Sequence, residues 1–224
     1  LDLRAAMDRI VARCRRDRPD VYGLLGAWNE QFQASLASVR TLGPGDAFPR
    51  FLMFDTERRL VGIDELLGHQ DLVVVFFRGS WNSGCRLQLG ALKRLYPLVN
   101  GLGAELIAVS PELARSSGAL KERMGLPFPI LTDYQSELGL SLGLGSAVPD
   151  RFANGFDRLG IDLEAHTDDD QRIFPVPTTF VVDRLGIIRE VLVEKHLLYR
   201  RSPTDVLEAL LRLRQPRLRP KGQA

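Results

Sequence analysis

The stretch VVVFFRGSWNSGCRLQLGALKRL, residues 73–95, decides the reading of this chain. Residues 72–77 (LVVVFF) form an unbroken apolar run of strand length. A run rich in β-branched and aromatic residues, without alternation, fits a strand buried on both faces. A seven-residue loop follows: Arg78, Gly79, Ser80, Trp81, Asn82, Ser83 and Gly84. Cys85 then opens a helix predicted over 85–99, with Leu87, Leu92, Leu95 and Leu98 as its inner face. A cysteine at a helix start faces unpaired backbone N–H groups and the positive end of the helix dipole. Both favour thiolate over thiol, and Arg78 and Arg86 would add to that. Thiolate is the nucleophilic form, so Cys85 is a candidate reactive group. The carboxyl end of a parallel strand is also where α/β sheets bind ligands.

Strands are predicted at 105–109 (ELIAV), 128–131, 178–182 (TTFVV) and 187–193, with a tight turn at 183–186. Helices are predicted at 111–124, 135–142, 151–159 and 203–213. Residues 143–175 otherwise read as a long polar segment. A strand–helix–strand order demands a right-handed crossover and a parallel pair, while the final hairpin adds antiparallel strands. The expected product is an α/β fold, a mixed sheet covered by helices on both faces. Upstream, Leu3, Met7, Ile10 and Cys14 repeat at helical spacing. Pro19 interrupts, and Val21, Leu25, Trp28, Phe32, Leu36 and Val39 resume the stripe. Residues 1–40 therefore read as a helical extension of two amphipathic helices, with Cys14 as a packing residue. Residues 41–51 are a Gly/Pro-rich link to the main domain at 41–214, and 215–224 form a basic tail with Arg217, Arg219 and Lys221.

Composition bounds the rest. The chain has 224 residues, 45% hydrophobic and 26% charged, with net charge +2. That is ordinary for a globular domain and too weakly basic for a nucleic-acid footprint. Two cysteines cannot form a disulfide framework or a structural zinc site. No run of 18 apolar residues exists and the N-terminal segment lacks a signal-peptide core, so a reducing, cytoplasmic setting is expected, without membrane partners. Arginine outnumbers lysine 26 to 4, which codon bias explains more readily than guanidinium chemistry. His69, His166 and His196 sit in predicted turns and read as surface residues. Asp168, Asp169 and Asp170 read as a solvated loop, and no cofactor or metal is expected.

The 73–95 block resembles the AhpC/TSA peroxiredoxin-like group of the thioredoxin-like superfamily. Further segments carry the resemblance in the right order over about 42–213. Residues 45–51 (GDAFPRF) resemble its "GDxAPDF" entry, 107–111 its "aiSp" strand, 126–133 its "lpFpvLsD" and 176–183 its cis-proline strand; residues 61–67 resemble the segment before the central strand. The resemblance implies a thioredoxin-like fold, a cis bond at Pro177 and a redox loop facing it. Where the group reads "RGxWCPxC", Asn82 replaces the first cysteine and Ser83 the proline. A single chain thus cannot cycle a CxxC disulfide. Aligned instead with the Thr-x-x-Cys of true peroxiredoxins, Cys85 takes the peroxidatic position and Asn82 the threonine's, where an amide can donate to a peroxide oxygen or cap the helix. The family's remote catalytic arginine finds no match, because its strand carries Pro177 and Thr178. The resemblance implies a peroxide-reducing oxidoreductase with Cys85 as its one redox centre, supported by Arg78 and Asn82. Trp81, Ser83, Gly84, Pro177 and Thr178 would shape the substrate groove, and an external small thiol or thiol reductant protein would recycle it. The other class of reading is a catalytically silent redoxin that binds a partner or small thiol beside Trp81 and Pro177. The extension's apolar stripe suggests a homodimer.

Overall fold

Every residue from Asp71 to Phe76 is buried. In the computed structural model, which describes residues 2–36, 41–68, 70–167 and 171–214, this segment is the centre of the sheet. The chain begins with helices α1 (Leu3–Asp17) and α2 (Pro19–Leu36), broken at Arg18 with Pro19 opening the second helix. A small antiparallel ribbon, β1 (Leu52–Phe54) with β2 (Leu60–Gly62), leads through α3 (Ile63–Leu67) into β3 (Asp71–Phe76). Then follow α4 (Ser83–Gly101), β4 (Ala104–Ser110), α5 (Ala114–Met124), β5 (Ile130–Thr132), a 3₁₀ turn at Tyr134–Ser136 and α6 (Glu137–Ser141). The last part holds β6 (Gly145–Ala147), α7 (Asp150–Asp157), α8 (Leu163–Thr167), β7 (Ile173–Pro175), β8 (Thr178–Val182), β9 (Ile188–Val193) and α9 (Thr204–Arg214).

The five-stranded sheet runs β5-β4-β3-β8-β9, parallel from β5 to β3 and antiparallel beyond. Side chains on successive strand residues point to opposite faces. Val73, Val75 and Phe77 therefore enter one core with Cys85, Leu89 and Leu92 of α4 and Leu210 of α9. Leu72, Val74 and Phe76 enter the other with Phe48, Ile63, Leu138 and Phe180. Two cores, one on each face, explain why the strand is apolar at every position.

Several expectations are corrected. The inner face of α4 carries Cys85, Leu89, Leu92 and Val99, whereas Leu98 is 56% exposed. Helix α5 starts at Ala114, beyond Pro111. The helix expected at 151–159 is α7, which buries Phe152 and Phe156 against Trp28 of α2, but the rest of 143–175 is not irregular: β6 pairs with β7 and α8 lies between. The Val176–Pro177 bond is trans, as are all peptide bonds among the described residues. The chain runs from β7 to β8 without a tight turn, and trans is the lower-energy isomer where no turn requires cis. Most of the extension's described stripe packs within the chain, although Ile10 stays 38% exposed. Leu3 and Met7 are buried against Ala91 of α4, and Trp28 and Phe32 against the 148–176 region. Val39, His69, the Asp168–Asp170 acids and the basic tail lie outside the described residues.

The β8–β9 turn closes on Asp183. Its Oδ1 accepts from the N–H groups of Leu185 and Ile187 at 3.0 Å each, and Oδ2 accepts from Arg189 Nε at 2.6 Å. Burial pushes the carboxyl up, but the Ile187 N–H, the Arg189 guanidinium and the Leu185 N–H outweigh it, leaving Asp183 below its ordinary value. A depressed carboxylate contributes stability above its unfolded pKa and loses it as pH falls through the folded one. The urea midpoint gap between the unmodified chain and Asp183→Asn should thus be full at neutral pH and close below about pH 4. A gap constant with pH would contradict this origin.

Candidate functional site

The loop between β3 and α4 is held by its neighbours as well as by its own Asn82 N–H, which donates to Gly79 O at 3.3 Å. Phe77 N–H donates to Val109 O, extending the sheet one residue past β3. Gly79 takes φ +143°, and a Cβ there would stand 2.6 Å from Trp81 Nε1, so only glycine fits. Ser80 donates twice to the fully buried carboxylate of Glu112, from N–H at 2.8 Å and Oγ at 2.7 Å. Ser117 Oγ donates to the same carboxylate, and His166 Nδ1 lies 2.6 Å from it. His166 is thus a loop brace and not a surface residue. His196 is also half-buried, and burial, with the charges of Arg4 and Arg200, pulls it below its ordinary value. Arg86 donates to the carbonyls of Ser80 and Trp81, so it too braces the loop and does not pair with Cys85.

Asn82 caps α4: its Oδ1 accepts from Cys85 N–H at 3.0 Å. The Cys85 side chain is fully buried. Arg200 Nη2 donates to Cys85 Sγ and to Asn82 Oδ1, both at 3.2 Å. Arg200 Nη1 donates to the carbonyls of Tyr199 at 2.6 Å and Leu197 at 3.1 Å, which fixes the fork toward the sulfur. Arg200 N–H donates to Met7 Sδ at 3.2 Å, tying α1 to this arginine. A guanidinium donating to sulfur is a charge-assisted contact that suits an anionic acceptor. Removing the cap should be measurable: Asn82→Ala should lower the unfolding free energy by about 1 kcal/mol. A denaturant midpoint unchanged from the unmodified chain would contradict the cap.

Arg200 was not legible in the sequence. It lies 115 residues from Cys85 in the segment between β9 and α9, one of 26 arginines, with no local motif. Arg78, the expected partner of the thiol, makes no hydrogen bond to it. Its guanidinium lies over the rings of Trp28 and Phe32, 5.2 and 5.3 Å from their centroids. Burial first, then the charge of Arg200, push Arg78 down to about 9. Trp81 is buried edge-on against Phe156 and Phe174.

A cavity of about 220 Å³ separates the loop from α1 and α2. Arg78, Trp81, Asn82, Ser83 and Gly84 line it from one side, Met7 and Cys14 from the other. Cys14 therefore faces a cavity shared with the loop rather than a closed packing face; burial raises its thiol above the ordinary value. Pro177 and Thr178 do not reach this cavity. Thr178 is buried and donates to Val176 O, and Pro177 lines a separate small recess with Gln88 and Leu92. Among the described residues no group of three or more His, Cys, Asp or Glu side chains could hold a metal ion. No described helix is long and apolar enough to cross a membrane.

The model of the AhpC/TSA family matches residues 44–191. Among curated proteins the chain is similar to the thiol-disulfide oxidoreductase ResA of Geobacillus thermodenitrificans, 26% identical over 173 residues, covering 75% of this chain and 80% of that one. A putative chloroplastic peroxiredoxin Q of Oryza sativa subsp. indica is 30% identical over 121 residues, covering 52% of this chain and 55% of that one. Among solved structures, the peroxidoxin BcpB of Mycobacterium tuberculosis superposes with a TM-score of 0.63 at 17% identity, covering 78% of this chain and 99% of that one. The Mycobacterium tuberculosis AhpC superposes at 0.61 and 20% identity, over 81% and 98%. These neighbours share the thioredoxin-like fold.

Proposed function

The chain belongs to the AhpC/TSA family, and from that premise we propose that it reduces peroxides through a single reactive cysteine, Cys85. The contact that carries this reading is Arg200 Nη2 on Cys85 Sγ, with Asn82 sharing the same donor. The thiolate attacks one peroxide oxygen, the O–O bond breaks, and an S–O bond forms. Sulfur loses two electrons and the other oxygen leaves as water or alcohol after taking a proton. An external thiol then attacks the sulfenic acid, releasing water and leaving a mixed disulfide. A second thiol regenerates Cys85 and leaves as the disulfide. Arg200 stabilises charge on sulfur and on the departing oxygen, Asn82 holds Arg200 and the helix start, and Arg78 adds its field at longer range. Trp81, Ser83 and Gly84 form the approach from the cavity.

The division into an extension (1–40), a thioredoxin-like domain (41–214) and a tail (215–224), a cytoplasmic setting and a homodimer belong to the same proposal. Light scattering of the full chain tests the last of these, a monomer mass overturning it. The complete burial of Cys85 favours a second reading, a silent fold that only binds a small thiol or partner. Stopped-flow mixing with hydrogen peroxide separates the two. Oxidation of Cys85 in a saturating or concentration-dependent phase, absent in Cys85→Ser, is expected. A Cys85 that stays reduced under excess peroxide overturns turnover and leaves binding.

A further inference from the structure

Among the described residues, Arg78 is the buried charge with the least compensation. It is 1% exposed, no carboxylate forms an ion pair with it, and its Nη2 has no hydrogen-bond partner. Its guanidinium meets the faces of Trp28 and Phe32 rather than an acceptor. Buried polar groups are normally satisfied, and buried cations normally paired. Arg78 is repelled by Arg200 and attracted by Cys85. Glu194 attracts it, yet burial pushes that carboxyl up toward its neutral form. Both Arg78 and Trp81 line the cavity of about 220 Å³, whose remaining walls are mostly apolar, including Met7, Ile10, Leu25 and Phe156. Small-molecule sites combine an apolar body with a few convergent polar groups in this way.

We propose that this cavity binds a small apolar carboxylate, its head group at Arg78 and its hydrocarbon between α1, α2 and α7. A carboxylate supplies the charge and the acceptor that Arg78 lacks, and guanidinium forks favour carboxylates by geometry. The hydrocarbon displaces water from Met7, Ile10 and Leu25. The proposal goes beyond peroxide reduction and does not depend on it, because the sulfur takes no part in binding.

The two tryptophans of the chain, Trp28 and Trp81, both line the cavity, so intrinsic fluorescence reports its occupancy directly. The intact chain and its Cys85→Ser variant would be titrated with octanoate, octanol and octylamine. Octanoate is expected to give a saturable change in both proteins. Octanol should bind about tenfold or more weakly, the usual worth of a hydrogen bond to a charged group. Octylamine should not bind. Arg78→Met should reduce octanoate to the level of octanol, and Val11→Phe, which narrows the cavity, should weaken both. Octanol binding as well as octanoate, or no saturable change with octanoate, overturns the proposal. If Arg78→Met does not fold, the head-group comparison on the unmodified chain decides. Because Cys85→Ser retains the cavity, failure of peroxide chemistry and failure of ligand binding are read separately.

Discussion

Arg200→Met should slow oxidation of Cys85 by hydrogen peroxide roughly 10²–10³-fold, the usual loss when one preorganised donor to a developing charge is removed. The substitution removes the donor to Sγ and to Asn82 Oδ1 together. It also leaves the carbonyls of Leu197 and Tyr199 without their partner, so folding must be checked beside the rate. Arg200→Lys separates charge from geometry. A lysine keeps the cation but a single ammonium cannot hold the sulfur, the Asn82 oxygen and two carbonyls as the planar fork does. An intermediate rate is expected for it. The readout that a merely structural role would not move is the pH profile of Cys85 alkylation by iodoacetamide: it should differ between Arg200→Met and the unmodified chain at equal thermal stability. Equal oxidation rates and equal profiles would remove Arg200 from the chemistry.

The largest effect on stability is expected at Phe180. This residue sits on β8 between β3 and β9, fully buried, with Phe48 and Phe76 edge-on at 5.4 and 6.0 Å. Truncation to alanine removes transfer energy and leaves a cavity that a strand held on both sides cannot close. A loss of about 3–5 kcal/mol follows, which lowers Tm by roughly 6–20 °C for a chain of this size. Phe180→Leu should recover part of the loss, since leucine refills much of the cavity but not the two edge-on contacts. Calorimetry of the two variants checks both statements, and a Tm within the error of the unmodified chain for Phe180→Ala would show that the face repacks.

Legibility in the sequence followed the range of the interaction. Residues 72–77 announced a strand buried on both faces because two cores must each be fed by alternate side chains, and a continuous apolar run is the only pattern that does so. Pro19 marked the break between α1 and α2, since proline fits the first turn of a helix and not its interior. Asn82 was visible as a cap for the same local reason. The inner face of α4 was misjudged at Leu98 because its leucines outnumber the positions the sheet can bury, and Cys85 and Val99, less conspicuous, occupy the register instead. In the 143–175 segment the helix predicted at 151–159 stands as α7, whereas the β6–β7 ribbon and α8 were hidden, because strands of three residues and a helix of five carry too little periodicity. The apolar face of α7 finds its partner, Trp28, only in the fold.

By itself, then, the sequence determined that a thiol stands at the end of a central parallel strand and the start of a capped helix, because strand burial, capping and helix polarity act over a few residues. Only the tertiary structure decided which arginine meets that thiol and where Arg78 goes. Arg200 reaches Cys85 across 115 residues of chain, and the extension, by placing Met7 on Arg200 and Trp28 on Arg78, encloses the cavity over the loop. Such contacts depend on how β9, α1 and α2 pack in space, and spacing along the chain carries no trace of that.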